Sequence, residues 1–345
     1  MRNRGKVRLL TGAVAASAAA LLVLSASAAP RADSSYTTPP SGRLYFLGMR
    51  HRVVYSANPD GSALHVVVKG VKGLSDGIAV DWAERHVYWT NMVTRDPSIT
   101  STAGSVQRAD LDGTHRTTII PIGGTFRPKQ MLLDKKDGKI YWSDREGMRV
   151  MRANLDGSDV ETLIQTGHPN GEHGDARNYC VGIALDLARG QIYWTQRGND
   201  TDQSADGSIR RANINIPKGE TAANRSDIQV LFDGLPEPVD LAFDLRTRTM
   251  YWTSDGGLAP RANTVSRAPM DPPHGVRPKG RTDQQILVRG LQGGIGISLD
   301  LEHGRMYFAD LGGHVYSANL DGSDKRTLLS DVGPVTGITY VRTTP

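Results

Sequence analysis

The residues best suited to chemistry lie in stretches that interrupt an otherwise repetitive chain. Gly167 to Asp175 reads GHPNGEHGD, which sets His168 and His173 five apart with Glu172 and Asp175 beside them. Imidazole and carboxylate are ligands that divalent metals accept. A second set is oxygen-only. Asp76, Asp240, Asn199, Asp200 and Asp202 are hard donors of the kind calcium takes, without the spacing of an EF-hand loop. Calcium is the one ion this set suits, and no other cofactor is expected. A third set mixes charge with hydrogen-bonding capacity: Asn91, Arg95, Lys129, Gln130, Arg177, Tyr179, Arg197 and Asp255. It suits recognition of a polar ligand. There is no Gly-x-Ser-x-Gly elbow and no HExxH pair. Gly293-Gly294-Ile295-Gly296 precedes an apolar run, the wrong order for a dinucleotide-binding turn. Cys180 is the only cysteine, so an internal disulfide is excluded, and it reads as a small buried residue.

What must position these residues is a repeat. GIAVDWAERHVYWT, from Gly77 to Thr90, recurs as variants starting at Gln130, Gly182, Asp240 and Gly296. Each unit parses into four short strands. The first is apolar on both faces, as in a strand covered on both sides. An Asp then opens a turn: Asp81, Asp134, Asp186, Asp244 or Asp300. The second strand carries an aromatic pair whose members point to opposite faces, so Tyr and Trp can pack on different neighbouring sheets. Asp-Gly follows the third strand at Asp60, Asp112, Asp156 and Asp321, which predicts tight hairpins of type I′. The pairs Tyr45-Phe46, Tyr88-Trp89, Tyr141-Trp142, Tyr193-Trp194, Tyr251-Trp252 and Tyr307-Phe308 are spaced by 43 to 58 residues. Six four-stranded units at this period predict an all-β fold, a six-bladed β-propeller. The first unit lacks a first strand, and Gly337 to Val341 matches what is missing. The C-terminal strand is therefore expected to join the first blade and close the ring.

The Tyr-Trp-Thr units and GIAxD strands resemble the YWTD repeats, or class B repeats, of the low-density lipoprotein receptor family, over residues 42–345. The resemblance implies a six-bladed propeller closed by a terminal strand, extracellular in setting and protein-binding in role. The Asp that ends the family motif stands at Asp144 and Asp310. Elsewhere the position holds Asn91, Gln196 or Ser254.

Units with Tyr-Trp carry Arg in the third strand, namely Arg108, Arg152, Arg211 and Arg267, whereas the Tyr-Phe units carry Ser56 and Ser317. Each Arg is expected to stack on the Trp face or to span to an Asp, in a structural role. Two insertions, Ile214–Asp227 and Met270–Gln284, read as solvated loops.

Residues 1–28 read as a cleaved export signal: Arg2, Arg4, Lys6 and Arg8, an apolar run, then Ala26-Ser27-Ala28. Residues 29–41 read as a Pro/Ser/Thr-rich leader. The net charge of +5 is mostly the signal's, since residues 1–28 hold four bases and no acid. That leaves no case for nucleic acid. The Ala/Arg/Asp-rich usage suggests a bacterial source. The expected protein is a secreted monomer, without a transmembrane span in its mature form, that binds a protein, peptide or glycan through loops at the channel mouth, where the third set above is expected together with Asp76 and Asp240. The alternative is a metal-dependent hydrolase or lyase, lactonase-like, at the same place.

Overall fold

The computed structural model describes residues 42–92, 104–168, 175–199 and 205–343. The export signal, the leader, Arg95, Glu172, His173, Asp200 and Asp202 lie outside the described residues.

Among the described residues, twenty-four strands form six antiparallel four-stranded sheets. Blade 1 holds β1 (Gly42–Gly48), β2 (Val53–Ala57) and β3 (His65–Val68). Blade 2 is β4 (Ser75–Asp81), β5 (His86–Asn91), β6 (Gly104–Asp110) and β7 (Thr117–Thr125). Blade 3 is β8 (Pro128–Asp134), β9 (Lys139–Asp144), β10 (Arg149–Asn154) and β11 (Glu161–Gln165). Blade 4 is β12 (Cys180–Asp186), β13 (Gln191–Gln196), β14 (Gly207–Asn213) and β15 (Gln229–Leu235). Blade 5 is β16 (Pro238–Asp244), β17 (Thr249–Ser254), β18 (Thr264–Pro269) and β19 (Gln285–Val288). Blade 6 is β20 (Gly294–Asp300), β21 (Arg305–Asp310), β22 (Val315–Asn319) and β23 (Arg326–Leu329). The last strand, β24 (Val335–Arg342), pairs with β1 and completes blade 1, as expected.

The aromatic pair joins the blades. Trp89 packs inward on Val67, Val68 and Val71 of blade 1, while Tyr88 packs with Met131 and Trp142 of blade 3. The pattern repeats: Tyr141 with Trp194, Tyr193 with Trp252, Tyr251 with Phe308, Tyr307 with Phe46, and Tyr45 with Trp89. Six clusters thus close a circle. The Thr after the pair adds a polar stitch. Thr90 Oγ1 accepts from Gly77 N–H at 2.8 Å and donates to the Lys129 carbonyl at 2.9 Å, and Thr195 does the same with Gly182 and Val239.

Three expectations need correction. The third-strand Arg does not sit on Trp, although Arg211 does span to an Asp, 2.5 Å from Asp271. Register places the third-strand Arg opposite Tyr, pairing Tyr88 with Arg108, Tyr141 with Arg152, Tyr193 with Arg211 and Tyr251 with Arg267. Arg152 and Arg211 lie 5.7 and 6.0 Å from the Tyr141 and Tyr193 ring centres, and it is Arg116 that faces Trp89, at 5.1 Å. Where Ser56 and Ser317 stand opposite Tyr, Arg43 and Arg305 of the second strand reach those hydroxyls instead. The Asp-Gly turns are not type I′. Gly61 has φ 86° and donates to the Asn58 carbonyl, whereas Asp60 has no positive φ. The loop is a type I turn followed by a left-handed Gly. Lastly, the two insertions are pinned rather than merely solvated. Arg225 donates to the Leu163 and Asn213 carbonyls and pairs with Asp227. Arg281 repeats this with Leu231, Pro269 and Asp283, and lies 3.8 Å over Phe232.

A charged channel mouth

Each first strand carries the same irregularity near its start. The pairing register slips between Ser75 and Ile78, Pro128 and Met131, Cys180 and Ile183, Pro238 and Leu241, and Gly294 and Ile297. Such a bulge re-aims the side chains it contains. It sets one ring of residues at the mouth of the channel: Asp76, Lys129, Val181, Val239, Ile295 and Thr336. Four of the six carry no charge. The other two form an ion pair, with Lys129 Nζ 2.5 Å from Asp76 Oδ2 and both side chains buried. Gln130 Nε2 donates to the other Asp76 oxygen at 3.0 Å. Burial pulls the Lys129 ammonium below its usual range, and the Asp76 carboxylate opposes that pull.

Above this ring lies a cavity of about 200 Å³, which Arg145, Arg197, Glu237 and Asp255 also line. Arg197 pairs with Glu237. Glu146 is buried behind the cavity between Arg145 and Arg127. Burial raises the Glu146 carboxyl, but the two guanidinium groups outweigh it and hold the carboxyl below its usual range. Arg145 also lies 5.8 Å over the Tyr179 ring. The motif Asp144 fixes this corner: its carboxylate accepts from the Phe126 and Arg127 N–H groups and pairs with Arg149 at 2.8 Å.

The sequence-derived candidates divide on this geometry. Asp76, Lys129, Arg197 and Asp255 share the cavity. Tyr179 is buried beside Arg145. Asn91 is buried at the end of β5, where its amide reaches Ser105. Arg177 is exposed and pairs with Asp175. Asp240 does not reach the mouth, and Gln130 reaches it only through its amide, which donates to Asp76. They stand one residue further along their strands than the mouth ring, and so line the opposite half of the channel. Arg127, Arg145, Glu146 and Glu237 were missed. Arg145 and Glu146 follow a motif Asp directly, and Glu237 precedes a first strand. Those positions are the available signal.

The metal set does not assemble among the described residues. No three of His, Cys, Asp or Glu converge there. His168 is exposed, and Asp175 is engaged by Arg177. Cys180 is fully buried, and burial pushes its thiol up to about 12, so it is held as a thiol. No described helix is long and apolar enough to cross a membrane.

Fold and site together define a six-bladed β-propeller with a charged channel mouth. No protein-family model matches the chain. It is 41% identical over 318 residues to low-density lipoprotein receptor-related protein 1 of Pyricularia oryzae, covering 88% of this chain and 100% of that protein. The chain belongs to the family of YWTD-repeat propellers related to the low-density lipoprotein receptor. It is also 38% identical over 275 residues to the 3-hydroxyacyl-CoA dehydrogenase-like protein LAM1 of Cochliobolus heterostrophus, covering 78% of this chain and 56% of that one. Among solved structures, a chain of the nidogen/laminin complex superposes with a TM-score of 0.65 at 21% identity, over 88% of this chain and 99% of that chain. These relatives lend no support to the bacterial source that composition suggests.

Proposed function

We propose that the chain is an exported interaction module that binds a protein, peptide or glycan through its mouth-face loops. The observation that carries this is the mouth cavity itself. Ion pairs converge there without capping any strand, and exposed Leu74, Leu258 and Leu311 stand on the same face. Apolar anchors beside charges that can exchange partners are the makings of a recognition patch. The Pyricularia relative, a receptor-related protein by name, and the solved complex of nidogen with laminin support a partner that is a protein. Export by residues 1–28 is part of the same reading, and the N-terminal residue of secreted material checks it.

The test is capture of partners from culture medium by the immobilised chain and three variants. Leu74→Asp and Leu258→Asp, both at exposed positions on the mouth face, should lose the captured partner while keeping the parent unfolding midpoint. Leu245→Arg, on the far face, should keep it. Loss in the far-face variant, or retention in both mouth variants, places binding elsewhere. Elemental analysis separates the metal-dependent hydrolase or lyase reading: one ion per chain, with a midpoint that falls on chelation, favours the enzyme.

A further inference from the structure

The far half of the channel is a different environment from the charged mouth. It is a cavity of about 420 Å³, within the size range of small-ligand sites. Its walls include Leu185, Phe243 and Leu299, and Leu187, Leu245 and Leu301 stand at its rim. Those rim leucines are 44%, 39% and 38% exposed, an apolar collar left in water. At its floor lie Gln130 and Asp240.

Asp240 stands where four blades have glycine. At Gly77, Gly182, Gly296 and Gly337 a Cβ would come within 2.0 to 2.5 Å of a carbonyl on the neighbouring blade. Asp240 nevertheless puts a carboxylate there. Its oxygens accept from its neighbour Leu241 N–H at 2.9 Å and from Ile297 N–H of blade 6 at 3.0 Å. Each oxygen keeps a lone pair. Among the described residues no cation pairs with it. The flanking strands β12 and β20 bring uncharged Gly182–Ala184 and Gly296–Ser298 to its level, and β17 brings Tyr251–Thr253. Asp186 and Asp300, at the far ends of β12 and β20, are taken by Arg248 and His303. Across the channel, Lys129 is committed to Asp76. At the start of its own strand, Glu237 is committed to Arg197, and at the other end Asp244 caps a turn.

We propose that the far half of the channel binds a small amphiphilic amine, with its apolar body against the leucine walls and its ammonium group on Asp240. The walls alone would accept any apolar ligand. The buried carboxyl supplies the discrimination once it is ionised: the carboxylate repels an anion, gains no charge partner from a neutral head, and forms a charge-assisted bond with an ammonium. Burial, with Asp76 adding to it, pushes the Asp240 carboxyl up to about 8. In the empty site the group is therefore protonated at neutral pH, and a bound ammonium displaces that proton. Binding should tighten as pH rises.

The test is calorimetry on the full chain with hexylammonium, hexanol and hexanoate at pH 6, 7 and 8. At pH 8 hexylammonium should bind about tenfold more tightly than hexanol or better, and hexanoate should bind more weakly than either. The hexylammonium affinity should rise by about tenfold or more from pH 6 to pH 8. Asp240→Asn and Asp240→Gly, the latter placing there the residue of four other blades, should erase both the preference and the pH dependence. Leu245→Arg should weaken the amine and the alcohol alike. Three results overturn the proposal: equal binding of amine and alcohol, which points to a neutral apolar occupant; affinity that does not change with pH; and no binding at millimolar ligand. If both Asp240 variants fail to fold, the pH series on the parent chain still decides.

Discussion

Asp76 and Lys129 stand in a ring whose other members are Val181, Val239, Ile295 and Thr336. Four blades fold without a charge at this place, so the pair is not needed to make the propeller. Breaking it is another matter, because a lone buried charge lacks its compensation. Lys129→Met alone should cost about 3–5 kcal/mol in urea unfolding, since it strands Asp76. The double change Asp76→Val with Lys129→Val, which copies the other blades, should recover most of that loss. A double variant as unstable as the single one would show that the pair itself holds the ring. Asp240 carries a pH signature. Its folded carboxyl titrates near 8 against an ordinary value of 3.8, so the folded chain keeps a proton that the unfolded chain has released. Stability from this group is fully present below about 4, falls as pH rises, and levels off above about 8. Unfolding midpoints measured from pH 4 to pH 9 should fall less steeply for Asp240→Asn than for the parent chain. Parallel curves would remove the buried-acid account.

At the scale of the element, the strands were readable because their signals are local. Alternation, the turn Asp and the aromatic pair all act within a few residues. What could not be read runs between blades. The Thr90 hydroxyl meets a carbonyl 39 residues away and the Thr195 hydroxyl one 44 residues away. No local pattern announces such a partner. The same holds for Arg against Tyr: composition links the two types, but only register decides which ring of the pair is opposite. At the site, the sequence pointed to the right face for Asp76, Lys129, Arg197 and Asp255. It placed Asp240 there too, because a one-residue offset across a bulge changes which half of the channel a side chain enters. The Thr stitch gives a direct test. Thr195→Val keeps the shape but leaves Gly182 N–H and the Val239 carbonyl without this partner. It should cost about 1–3 kcal/mol, and amide exchange should quicken at Gly182. An unchanged exchange rate there would mean that the hydroxyl is incidental.

At the scale of the molecule, stability depends on closing the circle. Five of the six interfaces join blades built from consecutive residues. The sixth, between blades 6 and 1, depends on β24, which pairs with β1 from Gly42↔Arg342 to Gly48↔Val335 and also packs against β20 and β4. Val335 and Ile338 sit in the same cluster as Leu44, Phe46 and Tyr307. Thr336 donates to the Ser75 carbonyl at 3.0 Å, so the strand also ties blade 1 to blade 2. Deleting residues 335–345 would therefore uncover the β1 edge, open the Phe46 cluster and free the inner side of blades 2 and 6 in one step. An unpaired edge beside exposed aromatic surface is a template for aggregation. The truncated chain should elute ahead of the full chain in size-exclusion chromatography and unfold at a lower urea concentration. A synthetic peptide of residues 333–345, added in trans, should return part of the material to the elution position of the full chain by strand addition. A truncated chain that elutes like the full chain with an unchanged midpoint would show that the other interfaces hold the ring without its closing strand.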